Sequence, residues 1–436
     1  MKTLQSVTSC LSDYDPDALP VELAQSIIRG LAEPVAAVEK VALRAALGRV
    51  LAHDVLAPLD VPGHDNSAMD GYAFAAAALA QPGALELTVA GQALAGARHE
   101  AAVAPGSCVR IMTGALLPPQ CDTVVAQEYV DADRDADGAA IRVRFAASAV
   151  KPGSNVRRAG EDLARGSVAL AAARQVTPAD LGLLASLGYA EVAVRRRLRV
   201  AFFSTGDELR SVGETLAPGC VYDSNRYTMY GMLQRLGVEA IDLGVVGDDP
   251  AALEAALRSA AECADAVITS GGVSVGDADY TRALMARLGE VAFWKVAMRP
   301  GRPFAFGRLG DRSGRAQNAG ALFFGLPGNP VAVMVSFYLF VRDALLAMSG
   351  AAPSPAPLLI ARTDAPLYKR PGRSEFLRGL ARCDAQGHWQ VSTSGAQGSG
   401  MLSSMSRANC LIMLGHDQTD VAAGQSVSIM LFSGLV

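Results

Sequence analysis

From Leu198 onward the chain alternates short apolar runs with helix-like segments: LRVAFFS, NRYTMYGMLQRLG, VEAIDLGVV, DPAALEAALRSAAE, DAVITS and ADYTRALMARLG follow in that order. Short continuous apolar runs bounded by Gly, Ser and Asp read as buried strands, and the segments between them carry helical spacing. Strand, loop and helix repeated in this way signify a parallel α/β sheet. Ligands of such sheets gather at the carboxyl ends of the strands. The loops STGDEL (Ser204–Leu209), TSGGVSVGDAD (Thr269–Asp279) and GLPGNP (Gly325–Pro330) therefore lie where binding is expected.

The rest of the chain is built differently. After a polar leader, VELAQSIIRGL places apolar residues at helical spacing over Val21–Leu31, and the Ala-rich VALRAALGRVLA continues a helical or mixed region. From Asp60 to about Val150, Gly and Pro punctuate short runs such as LELTVAG, SCVRIM, DTVVAQEYV and AIRVRF, which read as a small β-domain with DADRDADGA as a hairpin tip. That pattern stops at KPGSNVRRAGEDL. Thr177, Pro178 and Asp180 then supply an N-cap, an N1 proline and an N3 acid for LGLLASLG, a connector returning to pack with the first segment. LGDRSGRAQNAG is expected to be a polar hairpin-like loop, and VAVMVSFYLFVRDALLAMSG a long apolar helix. The Pro-rich AAPSPAP marks a boundary, and the alternating runs after it predict a terminal β-barrel or sandwich.

The expected layout is a multidomain α/β plus β chain. A discontinuous helical or mixed connector (residues 20–58 and 151–195) is interrupted by a β-domain (59–150). A central parallel α/β domain (196–350) and a C-terminal β-barrel (354–436) follow. A length of 436 residues suits about three domains.

Charge excludes some functions. With net charge -4 and no Lys/Arg block beyond Arg195–Arg197, which reads as a solvated strand entry, the chain has no field to hold a nucleic acid. Its cysteines, Cys10, Cys108, Cys121, Cys220, Cys263, Cys383 and Cys410, are odd in number and form no C-x-x-C pair, which fits a reduced cytosol. The first residues hold no apolar signal-peptide core, and no uninterrupted apolar stretch reaches membrane-span length, so a cytoplasmic protein without a membrane partner is expected.

Several loops concentrate polar chemistry. In TSGGVSVGDADY the residues Ser270, Gly271, Gly272, Ser274 and Gly276 follow a buried strand, and glycines there let backbone N–H groups approach an anion. A plain turn needs neither three glycines nor two acids. Asp277 and Asp279 would repel a bare phosphate, which points to a bridging divalent cation. STGDEL offers Thr205, Asp207 and Glu208 around Gly206, although an acid at a helix start is often only a dipole-stabilising residue. In LPGNP, Pro327, Gly328, Asn329 and Pro330 form a stiff loop that also suits a helix cap. WKVAMRPGRP gathers Lys295, Arg299 and Arg302 around Pro300 and Gly301. That cluster suits an oxyanion, with a solvated surface stretch as the alternative. VPGHDNSAMDGYA crowds Asp65, Asn66, Ser67 and Asp70 into one loop, its lone His64 being read as structural, and RIMTGA and RRAGEDL add Thr113, Glu161 and Asp162.

Taken together, DNSAMDGYA, IMTGA, AGED, STGDEL, DSNR, SGGVSVGDAD, FWK(x3)RPGRP and GLPGNP resemble, in order and spacing, the molybdopterin molybdenumtransferases, the family of MoeA and the gephyrin E-domain. The resemblance runs from about Val21 to the C-terminus. It implies an elongated four-domain homodimer whose α/β domain is like that of the molybdopterin adenylyltransferases. It also implies a reaction in which adenylylated molybdopterin is cleaved in a Mg²⁺-dependent step and molybdate passes to the dithiolene, giving molybdenum cofactor and AMP. The family's functional residues fall here on Asp65, Thr113, Asp162, Glu208, Asp248 and Asp279, with Glu208, Asp248 and Asp279 as the metal set. Lys295, Pro327 and Pro330 also match, and Ser399 and Arg378 match more loosely. The site is expected to be shared between subunits, with the adenylyltransferase or cofactor-accepting enzymes as further partners. Many members have lysine at Arg299 and Arg302, so charge is kept while the donor geometry changes. The adenylyltransferase itself is a rival reading, but it lacks the DNSAMDG half and the barrel. A non-catalytic scaffold, as in gephyrin, is opposed by acids at every motif position.

Overall fold

The computed structural model describes residues 3–9, 14–80, 83–272, 278–310, 320–353 and 355–435, with residues 278–281 by backbone alone. Two compact units are present: Met1–Ala52, Ala173–Thr177 and Glu191–Val436 form the first, and His53–Ala172 with Pro178–Ala190 the second.

In the first unit Glu239–Val246, Arg199–Thr205, Ala266–Ser270 and Ala321–Leu326 pair in parallel, in that order. The sheet is mixed, not purely parallel: Pro303–Leu309 runs antiparallel to Ala321–Leu326, and Gly289–Lys295 antiparallel to Pro303–Leu309. Two reversals return Gly289–Lys295 to the common direction. Its carboxyl end and the following VAMRPGR loop thus emerge at the same edge as the other binding loops.

Both faces of the sheet are covered, which is why its strands read as unbroken apolar runs. Along Arg199–Thr205, Val200 and Phe202 face one core with Trp294, Phe304 and Phe324, while Ala201 and Phe203 face another with Val267 and Phe323. The first core is closed by the helix Val21–Leu31, whose Val21, Ala24, Ile27, Ile28 and Leu31 are buried at the expected spacing. It is closed as well by Pro330–Met348, which contains a π-helical turn at Phe337–Val341. That second helix has the length and hydropathy to cross a membrane, yet 78% of its apolar stretch is buried inside the fold. The opposite core is covered by Leu253 and Leu257 of Pro250–Cys263 and by Leu284, Met285 and Leu288 of Ala278–Leu288.

Ser374–Cys383, Trp389–Thr393, Leu358–Thr363, Ser426–Leu431 and Cys410–Leu414 form a closed five-strand barrel, Ser374–Cys383 pairing with Cys410–Leu414 to complete the ring. The two-residue strand Met298–Arg299 adds to the barrel in parallel with Ser374–Glu375, tying the RPGRP loop to it. VALRAALGRVLA takes the mixed form of the two expected, with no α-helix. Val38–Ala42 is a strand paired with Glu191–Arg195, joining the two connector segments, and a 3-10 turn follows at Leu43–Ala46. The LGDRSGRAQNAG loop falls mostly outside the described residues.

The second unit carries a six-stranded sheet in the order Thr123–Ala126, Gly71–Phe74, Ser107–Ile111, Ala84–Ala93, Ala140–Ala146 and Asp131–Arg134. Asp131–Arg134 of the expected hairpin tip is itself a strand, which confines the turn to residues 135–139. The β pattern also reaches further than expected, because Val156–Arg157 pairs with Asn66–Ser67.

Candidate active site

At the carboxyl edge of the central sheet lies a cavity of about 770 Å³. One side is made by the loops after three adjacent parallel strands: Thr205, Gly206 and Glu208; Ser270, Gly271 and Gly272; and Pro327, Gly328 and Asn329. Parallel register brings them level, since Ser204 pairs with Ser270 and Ser270 with Leu326. Glycine is required where these loops touch. A Cβ on Gly271 would stand 2.5 Å from the Thr205 carbonyl oxygen, and Gly206 has a φ of 147°, which L side chains rarely adopt, with Glu208 Oε2 2.6 Å from where its Cβ would be. The Glu208 carboxylate is folded back over its own loop.

Asn225 fastens the loops together. Asp223 caps the helix Ser224–Arg235, accepting from the Arg226 N–H at 3.1 Å and from Ser204 Oγ at 2.9 Å. Asn225, two residues on, donates from Nδ2 to Ser270 Oγ and to the Gly328 carbonyl, each at 2.7 Å. Its Oδ1 and the Thr205 hydroxyl are buried without a hydrogen-bond partner among the described residues, and both residues line this cavity. Asp248 also lines the cavity, and Asp207 holds its loop by accepting from the Asp248 N–H at 3.0 Å. Asn329 stands at the N-cap of the helix beginning at Pro330 but makes no side-chain cap hydrogen bond among the described residues, and it lines the cavity.

The opposite wall is basic. Arg299 and Arg302 line it with Pro300 and Gly301, and neither guanidinium makes a hydrogen bond or ion pair among the described residues. The barrel supplies Arg373, Gln397 and Ser399. Arg373 donates to Glu375 Oε1 from Nε at 2.9 Å and from Nη2 at 2.8 Å, and Glu375 is buried. Arg378 is buried behind this wall. It donates to the carbonyls of Ala396 (3.2 Å) and Gly398 (3.0 Å) and to Ser404 Oγ (3.1 Å), which shapes the loop presenting Gln397 and Ser399. Burial, together with the nearby Arg299 charge, lowers the Arg378 pKa from its ordinary value.

Of the remaining expected residues, Lys295 does not line the cavity. It pairs in register with Pro303, which does, and its ammonium is bound to Asp17. Pro330 begins the long helix instead of lining the wall. Ser274, Gly276 and Asp277 lie outside the described residues, and Asp279 is described only as part of the helix Ala278–Leu288. Among the described residues no group of three His, Cys, Asp or Glu side chains is poised for a metal. Glu208 and Asp248 nevertheless share the cavity, and as hard carboxylate oxygens they suit Mg²⁺.

Asp65, Thr113 and Asp162 belong to the second unit. Asp65 accepts from Arg158 Nη1 at 2.6 Å and from the Ala159 N–H at 2.8 Å. Thr113 donates both its N–H and its hydroxyl to Asp70 Oδ1, each at 2.7 Å. The Ala159 N–H and Arg158 hold the Asp65 carboxyl below its usual range, and the Thr113 donors do the same for Asp70. The Asp162 N–H donates to the Val61 carbonyl at 2.9 Å.

Sequence reasoning passed over Asn225, Arg373 and Gln397 as site residues. DSNR, at a helix start beside a binding strand, was a usable signal for Asn225. Arg373 and Gln397 had none, because the barrel's closure puts them on the wall.

Three family profiles match the chain: the MoeA N-terminal region (domain I and II) over residues 19–188, a probable molybdopterin binding domain over 201–347, and the MoeA C-terminal region (domain IV) over 361–432. The molybdopterin molybdenumtransferase of Haemophilus influenzae is 42% identical over 395 residues, covering 90% of this chain and 94% of that protein. The chain belongs to the molybdopterin molybdenumtransferase family. The Nostoc molybdenumtransferase is 35% identical over 90% of this chain and 88% of its own length. The crystal structure of the molybdopterin biosynthesis moeA protein from Pyrococcus horikoshii OT3 superposes with a TM-score of 0.79 at 28% identity, covering 95% of this chain and 100% of that one. As a molybdenumtransferase the chain is an enzyme of molybdenum cofactor biosynthesis that inserts molybdenum.

Proposed function

We propose that the cavity binds adenylylated molybdopterin and molybdate, and that cleavage of the adenylate accompanies transfer of molybdate to the dithiolene, giving molybdenum cofactor and AMP. The observation that carries this reading is the cavity's mixed charge: Glu208 and Asp248, which follow strands at one end of the sheet, line it together with Arg373 and with Arg299 and Arg302, whose loop joins the two strands at the other end. A bare phosphate would be repelled by the two carboxylates, whereas the guanidinium wall suits oxyanions, so a pyrophosphate and a molybdate need both kinds of surface. Mg²⁺ would be held by Glu208 and Asp248, with Asp279 as the third carboxylate, and when bound it neutralises charge on the phosphate oxygens.

The protein's own groups bind and orient. Asn225 keeps the Ser270 and Gly328 loops in one arrangement, Asp207 keeps Asp248 at the rim, and the Arg378-shaped loop presents Gln397 and Ser399. We place Lys295, which is not part of the wall but lies in register with the cavity-lining Pro303, beside the guanidiniums as a molybdate ligand. Asp65, Thr113 and Asp162 complete the site from the partner subunit of a homodimer, within the four-domain layout whose boundaries lie near residues 59, 150, 195 and 354. A cytoplasmic location is part of the reading. Free thiols support it, among them Cys108 and Cys121, which burial pushes up to about 12.

The test compares adenylylated with plain molybdopterin at low, equal molybdate, measuring cofactor by reconstitution of an apo-molybdoenzyme. The proposed reading expects cofactor formation to depend on the adenylate and to release AMP. Equal rates from both pterins, with no AMP, would defeat it.

A further inference from the structure

Lys295 is held by a segment of chain far from it in sequence. Residues 14–19 lie along the end of the strand Gly289–Lys295: the Lys295 N–H donates to the Pro16 carbonyl at 2.7 Å, the Leu19 N–H to the Lys295 carbonyl at 3.2 Å, and the Ala297 N–H to the Leu19 carbonyl at 2.8 Å. Trp294 Nε1 donates to the Tyr14 hydroxyl at 3.0 Å, and Leu19 is fully buried. This backbone docking carries Asp17 to Lys295, where Asp17 Oδ1 lies 2.7 Å from Nζ. The position is basic beyond that one contact. Lys295, Arg282 and Arg302 all act on the Asp17 carboxyl, the hydrogen bond from Lys295 most strongly, and keep it ionised below its ordinary range. Arg302 lines the cavity, and Lys295 is in register with its neighbour Pro303.

We propose that Asp17 is a tethered competitor for the oxyanion, occupying the Lys295 ammonium until molybdate displaces it and thereby setting the molybdate concentration that half-saturates the enzyme. The inference rests on the reading that Lys295 is a molybdate ligand. Its physics is exchange of one anion for another on a single cation. The carboxylate is a hydrogen-bonding anion held at high effective concentration by a docked backbone. Yet the Asp17 and Lys295 side chains remain 71% and 39% exposed, so water and salt screen the pair and its strength is modest. A dianion that also meets Arg302 can outcompete it. The backbone docking need not change, since only the side-chain contact is exchanged.

The experiment measures the molybdate dependence of cofactor formation for the full chain and for Asp17→Asn, Lys295→Ala and the double variant. Asp17→Asn keeps the shape and removes the charge, so half-saturating molybdate should fall about two- to fivefold, the range of an exposed ion pair. The maximal rate and melting temperature should stay unchanged. Lys295→Ala should raise half-saturating molybdate, and adding Asp17→Asn to it should bring no further gain, because the competitor acts only through the ammonium. An unchanged or raised requirement in Asp17→Asn, with Lys295→Ala still impaired, overturns the inference and leaves the reading of Lys295 standing. If Lys295→Ala itself behaves as wild type, the reading falls and the inference with it.

Discussion

Asn225 Nδ2 lies 2.7 Å from Ser270 Oγ and joins the start of one helix to the carboxyl end of the neighbouring strand. Its amide cannot be reversed, since Nδ2 also faces the Gly328 carbonyl, which only accepts. Asn225→Ala should therefore destabilise the protein by about 1–3 kcal/mol, the penalty for leaving a buried polar group unpaired. Asn225→Asp should be worse, because it turns a carboxylate oxygen toward that carbonyl. Urea unfolding of the two variants checks both the magnitude and the order.

Arg378 spans the loop that presents Gln397 and Ser399, and the residue is 1% exposed. Arg378→Met should cost roughly 2–4 kcal/mol through the abandoned carbonyls of Ala396 and Gly398. It should also raise the KM for molybdate, as the loop loses its shape. Thermal unfolding and molybdate titration of the same variant report the two effects separately.

The pH behaviour of the second unit follows from Asp70. The Thr113 N–H and hydroxyl hold its carboxyl below the ordinary value of 3.8. A depressed folded-state pKa gives stability that is present above the unfolded value and lost as pH falls through the folded one. The Asp70–Thr113 contact should thus persist through neutral and mildly acid pH and fail only below about 3.8. Carbon-13 NMR of the Asp70 carboxyl should show a midpoint below that of a free aspartate, and Thr113→Val should move it upward. A midpoint insensitive to Thr113→Val would contradict the assignment of cause.

Much of this was legible in the sequence. Val21–Leu31 is a helix at the expected residues, and the STGDEL, SGG and LPGNP loops meet because parallel strands end level. The antiparallel Pro303–Leu309 was not legible, since buried parallel and antiparallel strands carry the same apolar runs. Nor was the Asp17–Lys295 pair, which depends on a docked segment with no motif of its own. Arg373 is one arginine among many until barrel closure brings it to the wall.

The proposed sharing of the site between subunits predicts complementation. Asp65→Asn and Asp279→Asn homodimers should each be inactive, while a mixed dimer keeps one site free of both changes. It should recover up to about half the wild-type rate per dimer if the sites act independently. Co-expression with two tags and purification of the mixed species gives the comparison. A mixed dimer as inactive as its parents, with wild-type melting temperature and dimer mass, would place both residues within one chain's site.

In the proposed function the carboxylates and the cations that line the cavity act together on an adenylylated pterin. The most direct test is to measure AMP and molybdenum cofactor together in one reaction with adenylylated molybdopterin and molybdate, using the wild type in Mg²⁺, the wild type in EDTA, and Glu208→Gln/Asp248→Asn. The account predicts equal amounts of AMP and cofactor in Mg²⁺, neither in EDTA, and recovery of both on adding Mg²⁺ back. The double variant should lose both on the order of a hundredfold while keeping its melting temperature, because metal charge stabilisation is worth several kcal/mol. AMP release at an unchanged rate in EDTA, or wild-type turnover in the double variant, would contradict it.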